Sequence, residues 1–232
     1  MRVLRGRAGS IEADREATRR MLDRAGEARE PGVRVWTPHR QVAFGRRDAN
    51  EPGYEGARRA AEARGFPPFE RSVGGRAVAY TGSTLAFARA IPIEDARQGL
   101  DARYDEATER VKRALSDLGV ETERGEPPRS FCPGAHSLSS EGKIVGIAQR
   151  VTASAALVSG IAIVADREEI AEVLAPVYDA LSIPFDPDSV GSVARAGGPG
   201  DPETVARAIE AELVGDARTR IEHVGRNPDS VQ

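Results

Sequence analysis

The segment from Lys143 to Val164 is the part of this chain that most constrains its fold. It is rich in Val, Ile and Ala, which favour extended structure, and it is interrupted by Gly146 and Gly160. A short turn at 152–154 divides the segment into two halves. Two strands joined by so few residues pair in antiparallel fashion, so the sequence predicts a β-hairpin here.

Helical and extended patterns alternate along the rest of the chain. Helical patterns cover 10–28, 54–64, 104–118, 170–181 and 202–213. Short strands are indicated on either side of a turn at 37–40. Pro176 lies within the fourth helical segment and is expected to kink or divide it. Helices interleaved with hairpin-like strands predict an α+β fold, with a mixed, largely antiparallel sheet flanked by helices.

Length and composition bound the kind of protein. A chain of 232 residues suits one domain, which we expect over 1–215, followed by a polar and flexible tail over 216–232. The net charge of −3 gives no general reason to bind nucleic acid. No apolar run approaches the roughly 20 residues of a membrane-spanning helix, and the first residues lack a secretory signal. We therefore expect a cytoplasmic protein without membrane or nucleic-acid partners.

Cysteine and histidine are scarce. Cys132 is the single cysteine, which excludes an internal disulfide and a cysteine-rich zinc site. His39, His136 and His223 are widely spaced, so no metal site is expected. Cys132 lies in the loop-forming segment 130–134, where a thiol is either a small buried apolar group or a nucleophile.

Lysine is nearly absent from the chain, which makes Lys143 informative. Only Lys112 and Lys143 occur among the 33 Lys and Arg residues. An ammonium is a compact point charge, whereas guanidinium is a wide planar fork. A lysine kept between Gly142 and Gly146 therefore suggests a task that arginine cannot perform. The alternative is an ordinary solvated lysine.

A second candidate site is the segment 71–78, which contains Gly74 and Gly75. Paired glycines allow a positive φ and a close backbone approach, so amide N–H groups can face a phosphate or carboxylate. Arg71 and Arg76 could add charge-assisted hydrogen bonds. The alternative is a plain turn between strands with solvated arginines.

Three segments, in this order, resemble motifs of the biotin/lipoate A/B protein ligase family, and specifically of its lipoate-protein ligase A and octanoyltransferase branch. The first, Val42–Arg47, is similar to a small-residue strand that ends in Gly-Arg. The second, Glu70–Tyr80, resembles the arginine and glycine loop of the family, and the third, Lys143–Gln149, resembles its lysine motif. The likeness extends over most of residues 1–215. It implies a fold like the biotin/lipoate ligase catalytic domain.

The resemblance implies an enzyme that attaches a lipoyl or octanoyl group to a lysine of a lipoyl carrier domain, such as those of 2-oxoacid dehydrogenases or the glycine cleavage system. In this interpretation Lys143 polarises the acyl carbonyl. The other implied substrate or adenylate contacts are Arg71, Gly74, Gly75, Arg76, Ala77, Val78, Tyr80, Gly146, Ala148 and Gly160. Two routes fit. A ligase would use ATP and Mg²⁺ to form an acyl-adenylate, whereas a transferase would carry the acyl group as a thioester on Cys132 without ATP.

The chain departs from the family pattern at three positions. Val73 replaces the usual Ser or Thr, Tyr80 replaces a His, and Ser159 stands where the family has His before Gly160. The accessory domain of some bacterial lipoate ligases has no counterpart after Gly215, so the ligase route would call for a partner subunit. A non-catalytic acyl- or adenylate-binding module is the alternative from another functional class.

Overall fold

The structure is a computed structural model and describes residues 1–71 and 74–225. The strands of this part of the chain are β1 (Arg2–Arg5), β2 (Gly32–Trp36), β3 (Gln41–Phe44), β4 (Pro68–Glu70), β5 (Val78–Tyr80), β6 (Thr84–Pro92), β7 (Glu123–Arg124), β8 (Ser137–Ser139), β9 (Lys143–Val151), β10 (Ala155–Ile163) and β11 (Arg220–His223). The helices are α1 (Ile11–Glu27), α2 (Arg46–Ala49), α3 (Tyr54–Glu62), α4 (Leu100–Asp117), α5 (Arg167–Ala180) and α6 (Pro202–Val214), with a 3-10 turn at Pro187–Ser189.

An eight-stranded sheet forms the centre of the fold, in the order β11-β1-β2-β6-β10-β9-β8-β7. Its pairs are antiparallel except for β1, which runs parallel to β2 and to β11. The predicted hairpin is confirmed: β9 and β10 pair in antiparallel register, and Thr152 N–H donates to Ala155 O at 2.8 Å across the turn. The α+β class with a mixed, largely antiparallel sheet is therefore confirmed.

A second, three-stranded sheet has the order β4-β3-β5, with β3 parallel to β4 and antiparallel to β5. The predicted glycine segment leads directly into β5. Behind this sheet, α3 and α5 pack together around a core that includes Phe44, Phe66, Phe131 and Tyr178. The small sheet thus holds the glycine segment against this hydrophobic core.

The helices flank the large sheet on both faces. Residues that alternate along β6 enter different core clusters: Leu85 and Phe87 join the core with α4 and α6, whereas Ala88 and Ala90 join the core with α1. Successive side chains of a strand point to opposite faces, so α1 covers one face while α4 and α6 cover the other. Ser10 begins α1 by accepting a hydrogen bond from Ala13 N–H.

One of the two effects expected of Pro176, the division of its helix, does not occur. Pro176 does not divide the fourth helical segment, because α5 runs from Arg167 to Ala180 with this proline inside it. A proline within a helix costs about 3 kcal/mol, since one hydrogen bond is lost and the ring crowds the preceding turn. The buried face of α5 against α3 and the core offsets this cost: Ile170, Val173, Leu174, Val177 and Tyr178 are all buried there.

The predicted flexible tail also differs from the structure in part. Residues 220–223 form β11, which pairs with β1 in the register Arg2↔Arg220, and Arg2 forms an ion pair with Glu222. Residues 226–232 lie outside the described residues. Within 1–71 and 74–225, none of the helices combines the length and the apolar character needed to cross a membrane.

Candidate active site

A cavity of about 740 Å³ lies where the two sheets meet, and both candidate segments face it. The small sheet contributes residues of β3, β4 and β5, the large sheet contributes β6, β9 and β10, and α1 closes one side. Cavities of this size accommodate small-molecule ligands and cofactors. The predicted site residues that line it are Arg71, Gly74, Gly75, Val78, Tyr80, Cys132, Lys143, Gly146, Ala148 and Gly160.

The glycine turn, residues 74–77, lies so close to Cys132 that a side chain on Gly75 would crowd the sulfur. Gly75 has φ +94°, and a Cβ at this position would lie 3.0 Å from Cys132 Sγ. On the other side, a Cβ at Gly45 would overlap the carbonyl oxygen of Gly75. The turn is therefore fixed between the end of β3 and the cysteine loop, and glycine is required at both contacts.

Every polar atom of Cys132 has a partner. Its Sγ accepts a hydrogen bond from Arg76 N–H at 3.3 Å, and its N–H donates to Tyr178 Oη at 2.6 Å. Its carbonyl oxygen accepts from Lys143 Nζ at 2.9 Å. Cys132 also adopts φ +41°, a left-handed backbone that non-glycine residues rarely occupy. The loop is held in this conformation by bonds from three separate elements.

Lys143 is the first residue of β9 and is buried, with 1% of its surface exposed. Its Nζ donates to Glu126 Oε2 at 2.7 Å, to Phe131 O at 3.0 Å and to Cys132 O at 2.9 Å. These bonds use all three N–H donors of the ammonium. The alternative of a solvated lysine is therefore wrong, and the structure places the Lys143 ammonium against the backbone of Cys132.

Glu126 is a site residue that sequence reasoning missed. Its Oε1 accepts from Gly134 N–H at 2.9 Å, and its Oε2 accepts from Ser137 Oγ at 2.9 Å as well as from Lys143. The carboxylate thus connects the end of the cysteine loop at Gly134, and Ser137 beyond it, to the ammonium. No local motif marks this residue, because it lies in an irregular loop before Pro127 and its partners are 8 to 17 residues away.

Among the described residues that line the cavity, four arginines outnumber three carboxylates, which are Glu12, Asp14 and Glu16. Arg15, Arg71 and Arg150 all line it, and burial together with the charges of Arg71 and Arg150 lowers the pKa of Arg15. Arg71 Nη2 donates to Arg76 O at 2.6 Å and so supports the glycine turn. Its Nε is buried and has no hydrogen-bond partner within 1–71 and 74–225. Such a wall favours an anionic or strongly polar group.

Two predicted contacts face away from the cavity. The guanidinium of Arg76 donates to Glu51 Oε1 at 2.7 Å and to Asp48 Oδ1 at 3.3 Å, so only its backbone N–H serves the site. Ala77 is fully buried in the core behind the turn, and its carbonyl accepts from Tyr178 Oη. Tyr178 is thus a second residue that sequence reasoning missed.

The remaining wall of the cavity is largely apolar. Gly160 lies in β10, where a Cβ would come within 2.5 Å of Gly146 O and would overlap the ring of Phe87. The two glycines therefore keep the wall beside Lys143 flat. The apolar side chains that line the cavity include Leu22, Trp36, Phe87, Ile147 and Leu157. An extended aliphatic group is the kind of ligand that such a lining favours.

An aromatic stack occupies another part of the cavity wall. The rings of Tyr104 and His136 stack with centroids 3.7 Å apart and an interplanar angle of 7°. In the described ranges, 1–71 and 74–225, there is no group of three or more His, Cys, Asp or Glu residues placed to hold a metal ion.

Comparison with known proteins decides the family. A family model described as the lipoyl protein ligase A/B catalytic domain matches residues 13–213. The chain belongs to this family. In solved structures, its fold is similar to lipoate-protein ligase A bound with ATP, with a TM-score of 0.76, 18% identity, and coverage of 98% of this chain and 89% of that chain. The bi-partite lipoate protein ligase from Thermoplasma acidophilum gives a TM-score of 0.73 at 17% identity, and the match covers 98% and 87%.

Curated members of the family are also similar in sequence. An octanoyl-GcvH:protein N-octanoyltransferase of Bacillus velezensis is 34% identical over 121 residues, which is 51% of this chain and 42% of the relative. A protein of the same name from Kyrpidia tusciae is 31% identical over 148 residues, 63% of this chain and 51% of the relative. A lipoyl-GcvH:protein N-lipoyltransferase of Listeria monocytogenes is 27% identical over 119 residues. The matches thus span about half the length of these relatives.

Of the three positions at which the chain departs from the family pattern, two lie in the cavity wall. Tyr80 and Ser159 both line the cavity, so the groups that replace the family's histidines still face the ligand space. Val73 lies outside the described residues.

Proposed function

We propose that this chain is an acyltransferase that moves an octanoyl or lipoyl group from one lipoyl carrier protein to a lysine of another, through a thioester on Cys132. The observation that carries the proposal is the contact between Cys132 Sγ and the Gly75-Arg76 turn inside a cavity with an apolar wall. The names of the curated relatives support it, because they are transferases that take the acyl group from GcvH. GcvH is the lipoyl carrier of the glycine cleavage system.

The proposed reaction has two steps. The thiolate of Cys132 attacks the carbonyl carbon of the acylated donor, a thioester forms on Sγ, and the bond to the donor atom breaks as that atom takes up a proton. The lysine amine of the acceptor carrier then attacks the thioester, an amide forms, the amine loses a proton, and the thiolate is restored. No ATP is consumed in either step.

Lys143 is proposed to stabilise the negative charge that develops on the acyl oxygen. Its three N–H donors are engaged with Glu126 Oε2, Phe131 O and Cys132 O. Polarising the acyl carbonyl therefore requires that one of these bonds be exchanged for a bond to the substrate. The two backbone carbonyls are neutral acceptors, whereas Glu126 is a charged partner, so exchange at a carbonyl costs less.

The experiment uses the mass of the protein to detect the intermediate. Incubation with octanoylated GcvH and no ATP is expected to add one octanoyl group to the wild-type chain, and the group should move to a lipoyl domain of a 2-oxoacid dehydrogenase added later. Cys132→Ser should lower acceptor octanoylation by at least about a thousandfold, because the thioester cannot form. Acyl transfer by the serine variant at the wild-type rate would refute the thioester route.

An ATP-dependent ligase is the second candidate, and one observation favours it. The buried Nε of Arg71, without a partner in the described residues, could bind the phosphate of an acyl-adenylate at the glycine turn. A parallel reaction with free lipoate, ATP and Mg²⁺ tests this route. Lipoylation that requires ATP and survives in Cys132→Ser would establish the ligase, and failure of both donors would favour a non-catalytic binding module.

A further inference from the structure

The hydroxyl of Tyr178 bridges the two loops that form the candidate active site. It accepts a hydrogen bond from Cys132 N–H at 2.6 Å and donates to Ala77 O at 3.0 Å. Cys132 belongs to the loop before β8, and Ala77 ends the glycine turn before β5. The two loops belong to different sheets, so this hydroxyl links the two sheets through a pair of hydrogen bonds.

The side chain of Tyr178 is fixed from behind. It extends from α5, is fully buried, and packs in the core between the small sheet, α3 and α5. The ring of Phe185 lies against it with centroids 5.0 Å apart. Burial, together with the nearby Cys132, raises the pKa of Tyr178 well above its ordinary value of 10.0. The phenol therefore stays protonated over the usual assay range and continues to donate to Ala77.

The conformation of Cys132 needs such a support. A left-handed backbone at a non-glycine residue costs on the order of 1 kcal/mol or more and persists only where surrounding contacts hold it. Lys143 holds the carbonyl side of Cys132, and Tyr178 holds its N–H side. The Arg76 N–H that contacts Sγ belongs to the residue next to Ala77, so the same hydroxyl also fixes the donor to the sulfur.

We propose that Tyr178 is a positioning residue for acyl transfer, whose hydroxyl sets the distance between the Cys132 thiol and the glycine turn. This inference rests on the proposed function, because it assigns Tyr178 a role in forming the thioester. Tyr178 does not line the cavity among the described residues, so it acts through Cys132 and Ala77 and not on the substrate.

Tyr178→Phe removes the hydroxyl and leaves the ring in place. We expect the rate of acyl-enzyme formation to fall on the order of tenfold to a hundredfold, while the KM for octanoylated GcvH changes less than about threefold. The rate of Cys132 alkylation by iodoacetamide should change as well, because the thiol loses its fixed neighbour. Tyr54→Phe is the matched control: Tyr54 packs against the same core, and its ring contacts Phe44 edge to face at 5.3 Å.

The possible outcomes separate this inference from the proposed function. No acyl-enzyme with the wild-type chain would overturn the proposed function itself. Acylation and alkylation of Tyr178→Phe at wild-type rates, or an equal loss in Tyr54→Phe, would overturn the positioning role alone.

If Tyr178→Phe fails to fold, 4-aminophenylalanine at position 178 keeps a donor toward Ala77. That variant is expected to fold and to acylate within about tenfold of wild type, and acylation slower than that would contradict the inference.

Discussion

At the residue scale, the hydrogen-bond partners of Lys143 explain why position 143 has a lysine in a chain that otherwise uses arginine. Glu126, Phe131 and Cys132 each place one oxygen 2.7–3.0 Å from a single nitrogen atom. A tetrahedral ammonium can donate to three such acceptors at once, whereas guanidinium spreads its donors in a plane.

Lys143→Met tests this role with a side chain of similar length and no charge. We expect acyl-enzyme formation to fall by a hundredfold or more, on the scale found when a preorganised donor is removed. The free energy of unfolding should fall by about 3–5 kcal/mol, because the carboxylate of Glu126 loses its buried partner. Urea denaturation and the mass assay measure the two effects.

The only other lysine provides the control. Lys112 lies on α4, away from the residues that line the cavity, so Lys112→Met should leave acylation unchanged and alter stability by less than about 1 kcal/mol. Wild-type acylation by Lys143→Met would show that this ammonium serves neither the loop nor the acyl oxygen.

Sequence reasoning could predict the residues of the site whose type is unusual in its context. Lys143 and Cys132 are rare in this chain, and Gly75 belongs to a recognisable paired-glycine segment. Glu126 and Tyr178 are not unusual where they stand. Their roles arise from partners 17 and 46 residues away, and such distances in sequence become contacts only in the folded chain.

At the scale of elements, α6 shows how far local sequence determines a boundary. Asp201 precedes Pro202, and the sequence therefore predicts an N-cap followed by proline at the first helical position. The structure confirms this: Asp201 Oδ2 accepts from Thr204 Oγ1 at 2.6 Å and from Thr204 N–H at 2.9 Å. These bonds lower the pKa of Asp201 below its ordinary value of 3.8.

The lowered pKa gives a pH-dependent prediction for Asp201→Ala. A carboxylate whose pKa is lower in the folded state contributes stability that is present above pH 3.8 and lost as the pH falls through the folded pKa. We expect the alanine variant to melt about 2–4 °C below wild type at neutral pH, with the difference shrinking once the pH falls below 3.8. Asp201→Asn, which can still cap, should melt near wild type at neutral pH. Equal melting of the alanine variant and wild type at neutral pH would contradict the assignment.

Other elements were less predictable because packing decided them. The continuity of α5 through Pro176 depends on its buried face, which propensity alone does not reveal. Strand β11 has one apolar residue, Ile221, which is 47% exposed. Its pairing with β1 rests on backbone hydrogen bonds to a distant part of the chain and not on an amphipathic pattern.

At the scale of the whole molecule, the site exists because the two sheets meet. The hairpin of β9 and β10 supplies Lys143 and the flat wall of Gly146 and Gly160, while the glycine turn immediately precedes β5 of the small sheet. The sequence predicted the hairpin and the α+β class. The order of strands was not predictable from local pattern, since β6 pairs with β2 and β10, which lie far apart in sequence.

Gly160→Ala tests how closely the strands of this wall pack. The new Cβ would lie 2.5 Å from Gly146 O, a backbone atom of the neighbouring strand, and would overlap the ring of Phe87. Because a backbone atom cannot move aside as a flexible side chain can, we expect the free energy of unfolding to fall by about 1–3 kcal/mol, measured by urea denaturation. Acyl-enzyme formation should also slow, since Gly146 lies beside Lys143.

Gly82→Ala is the matched control, because a Cβ there meets nothing within 4 Å, and its effect should stay within about 0.5 kcal/mol. Equal stabilities of the two variants would mean that β9 and β10 can separate without cost, and the wall could then not hold Lys143 in place.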